Sequence, residues 1–293
     1  MVPQPSTLWT IESLLRWAAD DFRARRIDSP RLDAEVLLAK ALGTTRIQLV
    51  VDAKRPLSQD ELSRMREMVR RRRSREPVAY ILGEREFYGR TFRVDRRVLV
   101  PRPDTETLVD VALSRTRAVS MSVRALDLCT GSGCVAITLG RERPTSSVVA
   151  GDVSADALAV ARDNALRLGA YNVAFYEGDL FGSLALPARF DLVTANPPYI
   201  AAADLASLQA DVRDHEPRLA LDGGEGGLSL LRRVVAEAPP RLVSPGGVLA
   251  VEVGSGQAAA VVDLFERARF SEIEVERDYG RIERVVSGVL RGR

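Results

Sequence analysis

The residues of this chain best suited to chemistry are Asn196-Pro197-Pro198-Tyr199. They follow Phe190-Asp191-Leu192-Val193-Thr194-Ala195, a run that reads as a strand of a parallel sheet, so Asn196 stands at its carboxyl end. Open α/β sheets bind ligands just beyond those ends. An Asn there offers a neutral carbonyl acceptor on a short stem. Two prolines stiffen the backbone after it, and Pro197 has no N–H of its own. Tyr199 supplies a flat face against which a planar group can stack. The set suits a planar –NH2 held by acceptors, as in modification of an amide or an exocyclic base amine. An isolated Asn-Pro-Pro would be read as a turn. A glycine-rich loop upstream changes the balance.

That loop is Asp127-Leu128-Cys129-Thr130-Gly131-Ser132-Gly133, at the end of a strand over about 123–128. Glycine lets a backbone pass close to a ligand at the mouth of a sheet. Asp152 ends a second strand, where an acid can accept both hydroxyls of a ribose. Asp179 ends a third, placed to accept an adenine amino group. The spacing Gly131-x-Gly133-x-x-Ala136 also fits the relaxed dinucleotide fingerprint, which keeps a nicotinamide enzyme open. Against it, the chain offers no well-placed His or Tyr-x-x-x-Lys pair for hydride chemistry. Asn-Pro-Pro-Tyr also lies where a methyl acceptor would stand beside an adenosyl sulfonium.

The elements that must position these residues alternate strand and helix from about residue 123, the pattern of a doubly wound parallel sheet. Helices are expected over about 134–143, 154–168, 228–238 and 257–269. Strands are expected over about 147–150, 173–176 and 248–253, with a terminal hairpin of 273–277 and 282–286. Residues 201–227 show no clear period, and a segment of that length inside an α/β domain is often a functional lid. Upstream, the chain reads as helical. Thr10 caps a helix with Ile11, Leu14, Leu15, Ala18 and Phe22 on one face. Ser29-Pro30 opens a second, closed by Gly43, with Leu32, Val36, Leu37 and Leu42 as its apolar set. A short third follows Thr45, and Ser58-x-x-Glu61 is a capping box for a fourth. The fourth carries Arg64, Arg66, Arg70 to Arg73 and Arg75, either a solvated face or a docking surface for an acidic partner or RNA. A hairpin turning at Gly89-Arg90 then links to a helix for which Asp104 is the natural cap. The expected domains are a helical bundle over 1–76, a linker with a β-hairpin over 77–103, and a catalytic domain over 104–293.

Composition excludes several classes. At 293 residues with 46% apolar and 28% charged content, the chain has an ordinary globular makeup. Net charge is +2, which gives no bulk attraction to nucleic acid or membrane. Cys129 and Cys134 are the only two cysteines and His215 the only histidine, too few for a disulfide scaffold or a His/Cys metal site. No run of about 18 apolar residues is present, so no membrane span is expected. The opening Met-Val-Pro-Gln-Pro-Ser lacks a basic segment followed by an apolar stretch. A cytoplasmic, monomeric enzyme without metal is the expectation.

Several stretches together resemble a known family. Asp127–Ile137, Gly178-Asp179-Leu180-Phe181, Asn196–Ile200 and Pro245–Gly254 are similar to class I methyltransferases that use S-adenosylmethionine. Glu76–Gly83, Glu86-Phe87-Tyr88-Gly89, Pro101-Arg102-Pro103-Asp104-Thr105-Glu106 and His215–Leu221 resemble the HemK/PrmC glutamine-N5 methyltransferases of peptide chain release factors. The resemblance covers essentially the whole chain. It implies a Rossmann-like α/β fold with a mainly parallel seven-stranded sheet, a small N-terminal helical bundle for substrate recognition, and a linking β-hairpin. It implies that Asn196 and the Pro197 carbonyl grip the glutamine amide, with Pro198 and Tyr199 beside it. It implies that Cys129, Thr130, Gly131, Ser132 and Gly133 border the cofactor, that Asp152 binds ribose, and that Asp179-Leu180 borders the adenine. The implied substrate is the glutamine of the Gly-Gly-Gln loop of class I release factors. The sister enzyme acting on ribosomal protein L3 and the adenine-N6 DNA methyltransferases share the Asn-Pro-Pro-Tyr chemistry. Ala195, Leu180, Asp104 and the stretch Tyr279–Arg284 depart from the family's usual residues.

Overall fold

The computed structural model describes residues 8–117, 122–182 and 189–292; the opening residues read above for a targeting signal lie outside them. The chain divides into two compact units, one running to Gly83 and also taking Ala210–His215, the other made of Glu84–Gln209 and Glu216–Arg293.

The first unit holds α1 (Ile11–Ala24), α2 (Pro30–Leu42), α3 (Arg46–Val51), α4 (Gln59–Arg73) and α5 (Val78–Leu82). Local chemistry sets their ends. Thr10 and Ser13 form a reciprocal capping box on α1, and Ser58 and Glu61 do the same on α4. Gly43 ends α2 in the left-handed region at φ +64°, as a C-terminal glycine allows. Ser29 makes no side-chain cap; Pro30 at the first turn starts that helix instead. The core of the unit is Ile11, Leu15, Phe22, Leu37, Leu38, Leu49 and Met65. Leu32, expected there, is exposed, because α2 turns Asp33, Ala34 and Leu37 inward.

The reason for a buried Asp33 is the arginine row. Arg72 is buried, donates from Nε to Asp33 Oδ2 at 2.8 Å, and pairs with Asp211 at 2.7 Å. Arg73 makes two hydrogen bonds to Asp21, and Arg71 is held by Glu76. Arg71, Arg72 and Arg73 are thus engaged within the unit, while Arg70 stays exposed beside Glu67. The helix α5 escaped the sequence reading because five residues are too few to show a period.

The second unit opens with β1 (Glu84–Phe87) and β2 (Arg90–Arg93), an antiparallel hairpin pairing Phe87 with Arg90. Its turn residues are therefore Tyr88 and Gly89, at φ +50° and +67°, one residue earlier than expected. Positive φ at both positions matches the twist of the flanking strands. A 3-10 turn, Pro103–Thr105, leads into α6 (Glu106–Arg115). Asp104 lies inside that turn and caps nothing; its carboxylate faces Arg284 at 3.4 Å.

Then follow β3 (Arg124–Leu128), α7 (Cys134–Glu142), β4 (Ser147–Asp152), α8 (Ala155–Arg167), β5 (Val173–Glu177), β6 (Leu192–Ala195), α9 (Ala210–Arg213), α10 (Ser229–Glu237), β7 (Val248–Glu252), α11 (Ala258–Arg267), β8 (Phe270–Arg277) and β9 (Glu283–Leu290). The seven-stranded sheet has the order β5-β4-β3-β6-β7-β9-β8. The pairs from β5 to β7 are parallel, and β9 runs antiparallel between β7 and β8. The central strands β6 and β7 are buried along their whole length, which is why they read as unbroken apolar runs. One face of the sheet packs Leu231, Val234 and Phe265; the other packs Leu108, Ile137 and Leu139. Because β4 and β6 flank β3, the winding reverses at β3, where such sheets open a crevice.

Among the described residues no helix is long and apolar enough to cross a membrane.

Candidate active site

A cavity of about 260 Å³ opens at that reversal, lined by the segments that leave β3, β4, β5 and β6. The loop after β3 bends through positive φ at Cys129 (+56°), Gly131 (+54°) and Gly133 (+80°). Asp127 anchors it. This carboxylate is buried and accepts hydrogen bonds from Thr130 Oγ1 at 2.7 Å and Thr194 Oγ1 at 2.8 Å. Burial pushes its pKa up to about 6, against the pull of the two hydroxyls.

Asp152, at the end of β4, accepts from Gly131 N on Oδ2 and from Ser154 N on Oδ1, both at 2.9 Å. Burial raises its pKa, and those backbone donors oppose the shift. Two bonds fix the carboxylate's aim, and an ionised carboxylate retains further acceptor sites for a diol. Gly151, next to it, is covered by the Tyr176 ring; a Cβ there would sit 2.2 Å from the ring.

The other expected cofactor residues separate into two groups. Cys129, Thr130, Gly131, Ser132, Asp179 and Leu180 line the cavity. The Ser132 hydroxyl is buried with only the weak thiol of Cys134 beside it, an unmet polar group on the cavity wall. Gly133 does not line the cavity. A Cβ on it would strike Ile137 Cδ1 at 2.8 Å and Ala161 Cβ at 3.2 Å, so this glycine lets α7 and α8 pack. Asp179 stands at the rim, where Arg233 grips both its oxygens at 3.0 and 3.1 Å. Leu180, at φ +49°, accepts on its carbonyl from the Tyr176 hydroxyl at 2.6 Å. The unmet hydroxyl, the aimed carboxylate and the open backbone at Gly131 fit a polar nucleoside ligand.

At the end of β6, Asn196 lines the same cavity and its Nδ2 donates to Thr105 Oγ1 at 3.3 Å. With the nitrogen engaged, Oδ1 is the atom left to accept. Pro198 also lines the cavity, whereas Pro197 and Tyr199 do not. Tyr199 is turned to the interior: its ring packs on the sheet core and its hydroxyl donates to Glu252 Oε1 at 3.3 Å. It braces the Asn-Pro-Pro turn from behind and does not offer a stacking face to the cavity. A glycine-rich turn holds the same backbone. A Cβ on Gly223 would strike Pro198 O at 2.7 Å, one on Gly227 would strike Tyr199 O at 2.1 Å, and Gln257 Nε2 donates to Tyr199 O at 2.9 Å.

Sequence reasoning missed Thr105, Asp127 and Glu252 as site residues, and it missed the clamp of Gly223 and Gly227. The run Asp222-Gly223-Gly224-Glu225-Gly226-Gly227 was the available signal for the clamp. The segment expected as a lid is shared out: Pro217, Leu219 and Ala220 line the cavity, Glu216 accepts from Arg102 Nη2 at 2.6 Å, and residues 210–215 belong to the first unit.

Fold and cavity together define a class I, Rossmann-like methyltransferase catalytic unit. The methyltransferase small domain family matches residues 105–270, and the PrmC N-terminal domain family matches residues 13–83. The chain is 44% identical over 281 residues to a release factor glutamine methyltransferase of Geobacter sulfurreducens, covering 96% of this chain and 97% of that protein. It is 42% identical over 288 residues to a protein of the same description from Chlorobaculum tepidum, covering 96% and 97%. A methyltransferase structure from Pyrococcus furiosus shares the fold, with a TM-score of 0.52 at 17% identity over 69% of this chain and 90% of that one. The chain belongs to the release factor glutamine methyltransferase family.

Proposed function

We propose that this protein transfers a methyl group from S-adenosylmethionine to the side-chain amide nitrogen, N5, of the glutamine in the Gly-Gly-Gln motif of class I peptide chain release factors. The observation that carries this reading is Asn196: in the orientation that places Nδ2 on Thr105 Oγ1, Oδ1 is left as an acceptor on the cavity that Gly131 and Asp152 also line. Family membership supports the release-factor substrate over ribosomal protein L3 or adenine in DNA, since the relatives compared bear that description.

Bound S-adenosylmethionine supplies a methyl group already activated by its sulfonium. The remaining task falls to the chain. An amide nitrogen is a poor nucleophile because its lone pair is delocalised into the carbonyl. Asn196 Oδ1 would grip one N–H bond and, as the family resemblance implies, the Pro197 carbonyl, which stands outside the cavity lining, the other. The pair would favour a pyramidal nitrogen and stabilise positive charge as it develops there, and the surplus proton would leave to solvent after transfer. Holding nitrogen in line with the methyl group can contribute about 7–11 kcal/mol in the best cases. In this reading Asp152 holds the ribose and Thr130 to Ser132 the methionine end. Asp179 and Leu180 border the adenine, and the helical region over residues 1–76 recognises the release factor. The protein would act as a monomer in the cytoplasm.

The test is incubation with labelled S-adenosylmethionine and separate acceptors: a class I release factor, ribosomal protein L3 and DNA, with mass spectrometry to locate the added methyl. Label on the Gly-Gly-Gln glutamine is expected, and label only on L3 or DNA would overturn the assignment. Asn196→Ala should lower kcat by about 10²–10³-fold with cofactor affinity retained. Near-normal turnover would remove Asn196 from the mechanism.

A further inference from the structure

Asn196 works as an acceptor only in one of its two amide orientations, which are nearly identical in shape. Its neighbour does not by itself decide between them. Thr105 Oγ1, 3.3 Å from Nδ2, can accept from the nitrogen, yet a hydroxyl can equally donate to Oδ1 of the flipped amide. The choice depends on where the single hydroxyl proton of Thr105 goes.

Glu252 supplies the destination. It ends β7, is 1% exposed, and accepts from the Tyr199 hydroxyl on Oε1 at 3.3 Å. Its Oε2 is buried and makes no hydrogen bond, and the Thr105 hydroxyl stands near enough to the carboxylate to favour its charged form. We infer that Glu252 is a positioning residue for methyl transfer: by accepting the Thr105 hydroxyl proton in a hydrogen bond, it obliges Thr105 Oγ1 to accept from Asn196 and keeps Asn196 Oδ1 turned to the cavity. The inference rests on the reading of Asn196 as the acceptor for the substrate amide.

An ionised carboxylate can only accept, so it reads the chain of bonds in one direction. Burial pushes the Glu252 pKa up to about 7, opposed by the Thr105 hydroxyl and by Arg284. The charged and titratable groups facing it are Arg284 from β9, Asp104 from the turn before α6, Tyr199, and Cys134 at the start of α7. Arg284 is itself shared with Asp278 at 3.0 Å and Asp104 at 3.4 Å, so Glu252 has no dedicated counter-ion. Once protonated, Glu252 can donate to Thr105, and the Thr105 proton is then released toward Asn196 Oδ1. Activity should therefore rise with pH as Glu252 ionises. A buried carboxylate without a full partner is a poor structural element, since an apolar residue of similar size is often neutral or better for stability.

The test compares Glu252→Gln with a pair at residue 105, Thr105→Val and Thr105→Ser, using a release factor acceptor. Glu252→Gln replaces a group that can only accept by one that can also donate, so the direction of the chain of bonds is no longer fixed. It should lower kcat by about tenfold or more, with the S-adenosylmethionine Kd changed by less than about twofold, and abolish the acidic limb of the kcat–pH profile. Thr105→Val should match that loss and Thr105→Ser should restore activity. Glu252→Gln with parental kcat and the same acidic limb overturns the inference, as does equal activity of the Val and Ser variants. If Glu252→Gln does not fold, the residue 105 pair decides alone. A parent protein that methylates no glutamine at all overturns the reading of Asn196 and this inference together; unaffected variants of an active parent overturn only this inference.

Discussion

Gly131 and Gly133 sit two residues apart in one loop and do different work, and exchanging each for alanine should separate binding from stability. Gly133 lies at φ +80°, where any other residue costs about 1–2 kcal/mol. Its new methyl would also meet Ile137 Cδ1 at 2.8 Å and Ala161 Cβ at 3.2 Å, between α7 and α8. Overpacking of that kind costs about 1–3 kcal/mol, so Gly133→Ala should lose about 2–5 kcal/mol in all. Gly131, at φ +54°, has nothing within 4 Å of a built Cβ, so only the conformational cost applies to stability. That open space belongs to the cavity, however, and a methyl there occupies room the ligand backbone contact would need. Gly131→Ala should therefore weaken S-adenosylmethionine binding by about tenfold or more, roughly 1.4 kcal/mol, with a smaller stability loss. Urea unfolding measures the first quantity and titration calorimetry on the folded proteins the second. The reasoning fails if Gly133→Ala is no less stable than Gly131→Ala, or if Gly131→Ala binds the cofactor as tightly as the parent.

Asp152→Asn keeps the shape but removes the charge that two backbone donors aim into the cavity, so cofactor affinity should fall by about 1.5–3 kcal/mol; unchanged affinity by calorimetry contradicts the ribose assignment. Arg72→Met strands Asp33 and Asp211 and should cost about 3–5 kcal/mol, whereas Arg70→Ala, on an exposed pair with Glu67, should barely move the unfolding midpoint. Equal shifts in the two variants would show that burial of Arg72 is not what matters. Asp127 and Glu252 have folded pKa values raised from 3.8 to about 6 and from 4.5 to about 7. Their raised values mean the native state holds these protons more tightly. That contribution to stability is complete below about pH 4 and is lost as pH climbs through about 7, at most about 3 kcal/mol for each group. Glu252→Gln should flatten part of the decline between pH 4.5 and 7 in urea midpoints, and an unchanged slope would refute the shift.

The strand–helix alternation was legible because each element carries its own period or its own punctuation. Thr10, Ser58 and Ser154 mark helix starts by hydrogen bonds to residues three positions on, and Gly43 marks an end by a backbone angle. Such signals are local, so a sequence displays them. The errors were also local in kind. Asp104 resembled a cap because acids favour that position, but Pro103 had already begun a 3-10 turn one residue earlier, and the carboxylate turned to Arg284 instead. The hairpin turn shifted by one residue because Tyr88 accepts positive φ, held there by Glu106 Oε1 on its N–H at 2.7 Å.

The site was legible only where strand ends announce it. Thr130, Gly131, Ser132, Asp152 and Asn196 follow strands directly and reach one cavity because the sheet's reversal at β3 gathers them. The groups inferred to orient Asn196 are distributed differently. Thr105 is 91 residues from it in sequence, and Glu252 stands 53 residues beyond Tyr199. No spacing rule joins an alcohol before a helix to an acid at the end of a later strand; the packing of α6 against β7 and the pairing of β6 with β7, which sets Ala195 opposite Val251, bring them to one place. Tyr199 shows the same limit in reverse. Its motif suggested a stacking face, yet the fold had a buried acceptor behind it, and a phenol in apolar surroundings turns to whichever acceptor it can reach. The sequence thus displays the groups that line the cavity, while the groups that pack behind them become visible only when distant elements are laid side by side.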